Sequence, residues 1–155
     1  MNSSSSSRSD RSAFLALTAS ERWLLVATAA ALPPIAALLN LVGYRRLKGM
    51  LARAVPLREP RTEAPVATAR AIATSRVVAI GAGRIPFPST CLSRSLTLWL
   101  LLRIQRIDSE VWLGVRREGS ALDAHAWVTH LGLPLNDSSD VHHRFATVDP
   151  PHRPT

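Results

Sequence analysis

The single cysteine of the chain lies where a proline-rich loop gives way to an apolar helix. The segment PFPSTCLSRSLTLWLLLR, residues 86–103, places two prolines before Cys91 and a leucine-rich run after it. Backbone N–H groups in the first turn of a helix lack partners within the helix, and the dipole is positive there, so this position stabilises a thiolate. Arg94, three residues on, adds a positive neighbour near the same face. Position alone leaves two interpretations open, a nucleophilic thiol and an inert packed cysteine.

A cysteine nucleophile requires a base, and the five histidines differ in their sequence context. His125 lies within a segment of clear strand pattern, DAHAWVTH at residues 123–130. The other histidines lie at a strand end, after a polar loop or in the proline-rich tail, and we expect them to be solvated: His130, His142, His143 and His152. A metal site built on His125 and His130 is not expected, because residues five apart on a strand point to opposite faces.

Hairpin geometry selects the carboxylate that orients the imidazole. If residues 130–132 form a three-residue loop with Gly132 left-handed, His125 faces Asp137 with the Cβ atoms roughly 5 Å apart. A two-residue loop would send Asp137 to the other face of the sheet. Asp123 shares the face of His125 but lies about 7 Å along the same strand, with its side chain roughly parallel to the ring. We therefore favour Asp137 over Asp123.

Composition narrows the class of protein. One cysteine makes neither an internal disulfide nor a multi-thiolate metal site, and we find no glycine-rich phosphate loop and no zinc motif, so no cofactor is expected. The N-terminus lacks the pattern of a secretory signal, which predicts a cytoplasmic protein. The net charge of +8 comes from arginines spread along the chain rather than interleaved with aromatics, so nucleic-acid binding is not expected. An acidic peptide partner fits the positive field.

Prolines and serines divide the chain into three parts. Residues 1–17 are serine-rich and predict a disordered tail, residues 18–60 form an apolar helical segment with a linker, and residues 61–155 form the domain that carries the cysteine. Thr18 and Glu21 have the spacing of a capping box. Residues 23–42 carry no charge and are long enough to span a bilayer, so membrane association is possible, although the two central prolines favour two short helices packed on a soluble core.

The pattern within residues 61–155 predicts an α+β fold. A helix over residues 66–80 is expected to stop at Gly81 and Gly83, and a buried helix follows from residue 89 or 90 to about residue 106. Alternating patterns then predict strands at residues 111–117, 123–130 and 133–137. The buried cysteine helix would pack on this antiparallel sheet.

The order of cysteine on a helix, histidine on a strand and aspartate on the next strand is that of papain-like and transglutaminase-like sites. The segments CLSRSLTLWLLLR, VWLGVRR, AHAWVTHLGLPLND and RFATV resemble the transglutaminase-like leader peptidases of lasso-peptide biosynthesis in their short stand-alone form. The resemblance covers roughly residues 18–148. It implies that Cys91 is the nucleophile, His125 the base and later acid, and Asp137 the orienting carboxylate.

The same resemblance implies a reaction and its partners. The enzyme would hydrolyse one peptide bond of a ribosomally made precursor, separating leader from core, and an ATP-dependent lasso cyclase would then close the ring. The first sixty residues are too apolar and too poor in strand pattern to be the winged leader-recognition module, so a separate leader-recognition protein is expected. Two alternatives stay open: an acyl transferase on the same fold, and a non-catalytic scaffold held at a membrane through residues 23–42.

Overall fold

The computed structural model describes residues 18–86 and 88–149, and the prediction of a disordered tail over residues 1–17 lies outside them. Helices come first and a four-stranded antiparallel sheet of order β3-β2-β1-β4 follows, as the α+β prediction requires. The elements are α1 (Ala19–Val42), α2 (Tyr44–Ala54), α3 (Ala64–Arg84), α4 (Cys91–Ile104), β1 (Glu110–Glu118), β2 (Ala121–His130), β3 (Leu133–Pro134), α5 (Val141–Arg144) and β4 (Ala146–Asp149).

Helix α1 begins at the predicted capping box, with Thr18 and Glu21 each bonding the other's backbone N–H. It then runs unbroken through Pro33 and Pro34, so the prediction of two short helices is wrong. The two prolines remove hydrogen bonds to carbonyls one turn earlier, at residues 29 and 30, which lie on the exposed side where water can bond them. Packing of the opposite face keeps the helix continuous, with Leu32 fully buried.

The two faces of α1 differ in their surroundings. Leu24, Leu25 and Ile35 belong to the main hydrophobic core, together with residues of α2, α3, α4 and the sheet. Trp23 and Leu41 are exposed. By length and composition α1 is apolar enough to cross a membrane, a property that core helices of soluble proteins share. The predicted membrane association therefore rests on the exposed face of this helix.

Helix α3 passes through both glycines that were expected to stop it and ends at Arg84. Gly81 is buried where α3 crosses α1, and a Cβ atom there would lie 2.9 Å from Cγ2 of Thr28. Glycine at this position thus permits close approach of two helices rather than ending one. Gly83 is exposed, and a Cβ atom added there would have no neighbouring atom within 4 Å.

We expect Gly81→Ala to lower the free energy of unfolding by about 1–3 kcal/mol, because the added methyl group pushes α3 away from α1. The matched variant Gly83→Ala adds the same methyl group to the same helix in open space, and we expect it to raise stability by up to about 1 kcal/mol through helix propensity. Urea unfolding followed by circular dichroism measures both. Equal effects would show that the helix crossing is not tight.

The sheet has one helix-covered face and one aromatic face. Val111 and Val128 pack in the main core beneath the buried leucines of α4, which confirms the prediction of a helix buried on several sides. On the opposite face Trp127, Val141 and Phe145 form a second buried cluster. Helix α5 supplies Val141 of this cluster, and Phe145 lies between α5 and β4. Neither α5 nor β4 was predicted from the sequence.

The β2–β3 connection differs from the predicted three-residue loop. The pairs are His130 with Leu133 and Thr129 with Pro134, so the loop has two residues, Leu131 and Gly132. Both have positive φ, 50° and 80°, the combination of a type I′ turn, whose twist suits a hairpin. β3 ends after two residues at a proline, which has no N–H to extend the ladder. The predicted strand over residues 133–137 is therefore much too long.

Candidate active site

His125 and Asp137 are in direct contact in the structure. His125 lies in the middle of β2, opposite Gly114, and its Nε2 shares a hydrogen bond with Oδ2 of Asp137. Continued strand pairing after the two-residue loop would carry Asp137 to the other face of the sheet. The predicted register is therefore wrong, although the side chains of His125 and Asp137 do meet. The path of the chain after β3 explains the contact.

The chain leaves the ladder after Pro134 and is held by other hydrogen bonds. The N–H of Leu135 donates to the carbonyl of Val128 at 2.9 Å, and the N–H of Val128 donates to the side-chain oxygen of Asn136 at 2.8 Å. A side chain thus takes the place of the next backbone acceptor. The backbone is thereby freed from strand pairing at this point, and Asp137 can turn back onto His125.

The competing carboxylate, Asp123, is engaged elsewhere. It lies directly opposite Arg116 on β1, and Nε of Arg116 donates to its Oδ2 at 2.9 Å. The guanidinium also lies over the ring of Phe145, with Cζ 5.0 Å from the ring centroid. Asp137, and not Asp123, is therefore the acceptor for the His125 ring.

Several donors hold Asp137 as a carboxylate. Its Oδ1 accepts from the backbone N–H of Ser138 at 2.7 Å and from the Ser138 hydroxyl at 3.1 Å, and it forms an ion pair with Arg144. Partial burial by itself raises the pKa of Asp137, but hydrogen bonds from the Ser138 N–H, the His125 ring and the Ser138 hydroxyl outweigh it and hold that pKa below its usual value. The group is therefore ionised at neutral pH.

Aromatic side chains fix the plane of the imidazole. The ring of Phe145 is stacked on His125 with centroids 5.0 Å apart, and that of Trp127 is nearly parallel at 6.1 Å. Gly114 leaves space for both, since a Cβ there would lie within 2.9 Å of each residue. Nδ1 of His125 has no hydrogen bond to any residue that the structure describes. One ring nitrogen is thus committed to Asp137 and the other is open to a further partner.

Cys91 is the first residue of α4, as the sequence predicts. Thr90 caps the helix, its hydroxyl accepting from the Ser93 N–H at 3.2 Å while its own N–H donates to the Ser93 hydroxyl at 3.0 Å. The thiol is free and half-buried. Arg94, expected beside it, donates from Nε to the hydroxyl of Ser89 at 2.9 Å. No hydrogen bond joins Cys91 to His125 within the described parts of the chain.

A hydrogen bond joins the helix of Cys91 to the strand of His125. The hydroxyl of Ser95, one helical turn after Cys91, donates to the carbonyl of Ala126 at 2.9 Å. The start of α4 is therefore held beside the edge of β2. The structure brings His125 and Asp137 into contact and places the Cys91 helix against the same strand.

The remaining histidines do not all match the expectation of solvated rings. His130 is buried, with 4% of its surface exposed, and its Nδ1 lies 2.6 Å from the carbonyl oxygen of Asp108, so that prediction is wrong. His142 and His143 are exposed, and His152 lies outside the described residues. Across residues 18–86 and 88–149, no three histidine, cysteine or acidic residues are grouped as metal ligands.

The sequence did not indicate three residues that surround His125 and Asp137: Asn136, Arg144 and Phe145. Asn136 stands directly before Asp137 in the segment LPLND, a position where its amide can bond a neighbouring strand edge, but the sequence does not reveal which one. Arg144 and Phe145 lie in and after the short helix α5, where four residues provide no periodic pattern. These three residues reach the site only through tertiary folding.

Comparison with protein-family models matches residues 34–149 to the transglutaminase-like superfamily. The match covers well over half of the chain and runs from within α1 to the end of β4, so the protein belongs to the transglutaminase-like superfamily. This superfamily includes cysteine peptidases and acyl transferases and is typically catalytic. No curated protein and no solved structure matches the chain.

Proposed function

We propose that this protein is a cysteine peptidase that removes the leader from a ribosomally made lasso-peptide precursor. Cys91 is the nucleophile, His125 the base and then the acid, and Asp137 the carboxylate that orients His125. The observation that carries the proposal is the bond from Nε2 of His125 to an ionised Asp137, on a strand held against the helix that begins at Cys91. Superfamily membership is consistent with such chemistry.

The geometry supports a two-step reaction. Nδ1 of His125 takes the proton of the Cys91 thiol, and the thiolate attacks the scissile carbonyl carbon. The backbone N–H of Cys91, in the first turn of α4 and without a partner in the helix, stabilises the oxyanion in this proposal. The C–N bond then breaks as the imidazolium returns the proton to the amine of the core peptide. Water activated by His125 hydrolyses the thioester, and Asp137 balances the imidazolium in both steps.

The choice of a leader peptide as substrate rests on the four sequence segments that resemble leader peptidases of lasso-peptide biosynthesis. In such a system the core, with its new amino terminus, passes to an ATP-dependent cyclase. Residues 18–60 contain helices α1 and α2 and no strand, unlike a winged recognition module, so we propose that a separate protein binds the leader. The positive net charge of +8 suits an acidic peptide.

Assays on a full-length precursor test this function. We expect cleavage between leader and core, with stimulation by a leader-binding protein that is largest at low precursor concentration, because tethering raises the effective concentration of the scissile bond. A precursor with its leader cut back to a few residues is the control and should show no stimulation. Efficient cleavage without any partner would instead assign leader recognition to this chain.

The mass of the products separates hydrolysis from acyl transfer. Hydrolysis adds one water across the cleaved bond and yields a leader with a free carboxylate. Transfer to an amine adds the mass of that amine to the leader, and adding a simple amine to the assay would expose this path. A leader fragment that always carries the amine and never a free carboxylate would make the protein an acyl transferase rather than a peptidase.

A further inference from the structure

The edge of β2 beyond the short strand β3 is completed by two side chains. The carbonyl of Ala126 accepts from the Ser95 hydroxyl at 2.9 Å, and the N–H of Val128 donates to Oδ1 of Asn136 at 2.8 Å. The amide nitrogen of Asn136 donates to the Ser95 oxygen at 2.9 Å and closes the network. Two side chains therefore provide the hydrogen bonds that a longer β3 would have made.

This network joins the three segments that carry the proposed catalytic residues. Ser95 lies one helical turn after Cys91 on α4. The carbonyl that it bonds belongs to the residue directly after His125. Asn136 directly precedes Asp137. One connected set of hydrogen bonds thus reaches to within a turn of the thiol and to the immediate neighbours of the imidazole and the carboxylate.

We infer that Ser95 and Asn136 form a positioning clamp that sets the distance and angle between the Cys91 thiol and the His125 ring. The inference rests on the proposed function, since it assigns the two residues to that site. Neither residue is a catalytic residue; each acts by holding the segments on which the reacting groups lie. The clamp determines how readily a proton passes from sulfur to nitrogen.

Loss of the Ser95 hydroxyl would break two defined hydrogen bonds of the clamp. Its side chain is fully buried and its hydroxyl donates one hydrogen bond and accepts another. Removing that hydroxyl leaves the Ala126 carbonyl and the side-chain nitrogen of Asn136 without these partners, and the start of α4 loses its hydrogen bond to β2. A displacement of about 1 Å between reacting groups lowers a rate by about 100-fold.

Thr97 provides a matched control on the same helix. It is also fully buried, but its hydroxyl donates to the carbonyl of Ser93 at 2.8 Å, within α4 itself. Thr97→Val therefore removes a buried hydroxyl and one hydrogen bond that involves neither β2 nor Asp137. Asn136→Ala is a second test of the clamp at an exposed position, where the core stays intact.

The pH profile of Cys91 alkylation tests the effect of the clamp on the thiol without any peptide substrate. Iodoacetamide reacts with thiolate, and the chain has one cysteine, so the rate reports the reactivity of Cys91 alone. We expect the wild-type protein and Thr97→Val to share one profile. Ser95→Ala and Asn136→Ala should shift it to higher pH and react about tenfold more slowly at pH 7. With precursor, kcat should fall about 100-fold while KM stays within about twofold.

The results of these experiments distinguish failure of the clamp from failure of the proposed function. If the wild-type protein cleaves no precursor but the alkylation profile still shifts in Ser95→Ala and Asn136→Ala, the proposed function fails and the clamp stands. If cleavage occurs and both variants match Thr97→Val in profile and kcat, the clamp is overturned and the function stands. Circular dichroism monitors folding, and if Ser95→Ala does not fold, Asn136→Ala decides.

Discussion

Cys91→Ala is expected to lower precursor cleavage by about 10⁴-fold or more while leaving the protein folded. The chain has no second thiol to replace the nucleophile, and without one no thioester can form. Cys91 is half-buried at a helix start, so loss of its sulfur creates only a small defect in packing. Mass spectrometry of the products and circular dichroism of the variant measure the two parts of this prediction.

Arg94→Ala serves as the comparison variant for Cys91→Ala. It removes a charged side chain from the same first turn, where the guanidinium bonds Ser89, and leaves the thiol in place. We expect it to keep most of the cleavage activity. Full activity of Cys91→Ala would show that the protein is not a cysteine peptidase, since the sequence contains no other thiol.

The second large effect on cleavage is expected when the carboxylate of Asp137 is replaced. Asp137→Asn should lower kcat roughly 10³-fold, because an amide neither balances the imidazolium of His125 nor selects the tautomer that leaves Nδ1 free for the thiol. Asp123→Asn removes a carboxylate from the same face of β2 that pairs with Arg116. That ion pair is partly exposed and contributes at most about 1 kcal/mol, so we expect activity within about twofold of wild type.

Steady-state kinetics on the two asparagine variants decide between the carboxylates. An equal loss at both positions would mean that charge near the site matters more than the hydrogen bond to His125. A larger loss at Asp123 would contradict the assignment of Asp137 altogether. Thermal melts of both proteins check that kcat, and not folding, has changed.

The sequence predicted those elements whose signals lie in neighbouring residues. The capping box at Thr18 and Glu21, the start of α4 at Cys91 and the two long strands all depend on neighbours in sequence, and the structure has each of them. Gly81 was expected to end α3, but the helix continues through it to Arg84. Its role is contact with Thr28 on another helix, which no local pattern reveals.

The path to Asp137 could not be predicted from the sequence. Two-residue and three-residue loops both use Gly132, and the positive φ of Leu131 leaves no mark in the amino-acid types. The backbone directly before Asp137 is held by bonds from Asn136 to Ser95 and Val128, residues 41 and 8 positions away in sequence. Contacts at such separation decide the geometry of the site, whereas periodicity decides only which elements form.

The most direct test of the Cys91–His125–Asp137 site is to capture the acyl-enzyme. Protein and precursor are mixed, quenched in acid within the first turnover and digested, and the peptide containing Cys91 is analysed by mass spectrometry. We expect this peptide to gain the mass of the leader's acyl group. Hydroxylamine should remove that group as it removes a thioester, and His125→Ala should show none of it. An acyl group on any other residue, or cleavage at the wild-type rate after complete alkylation of Cys91, would contradict the assignment of Cys91 as the nucleophile.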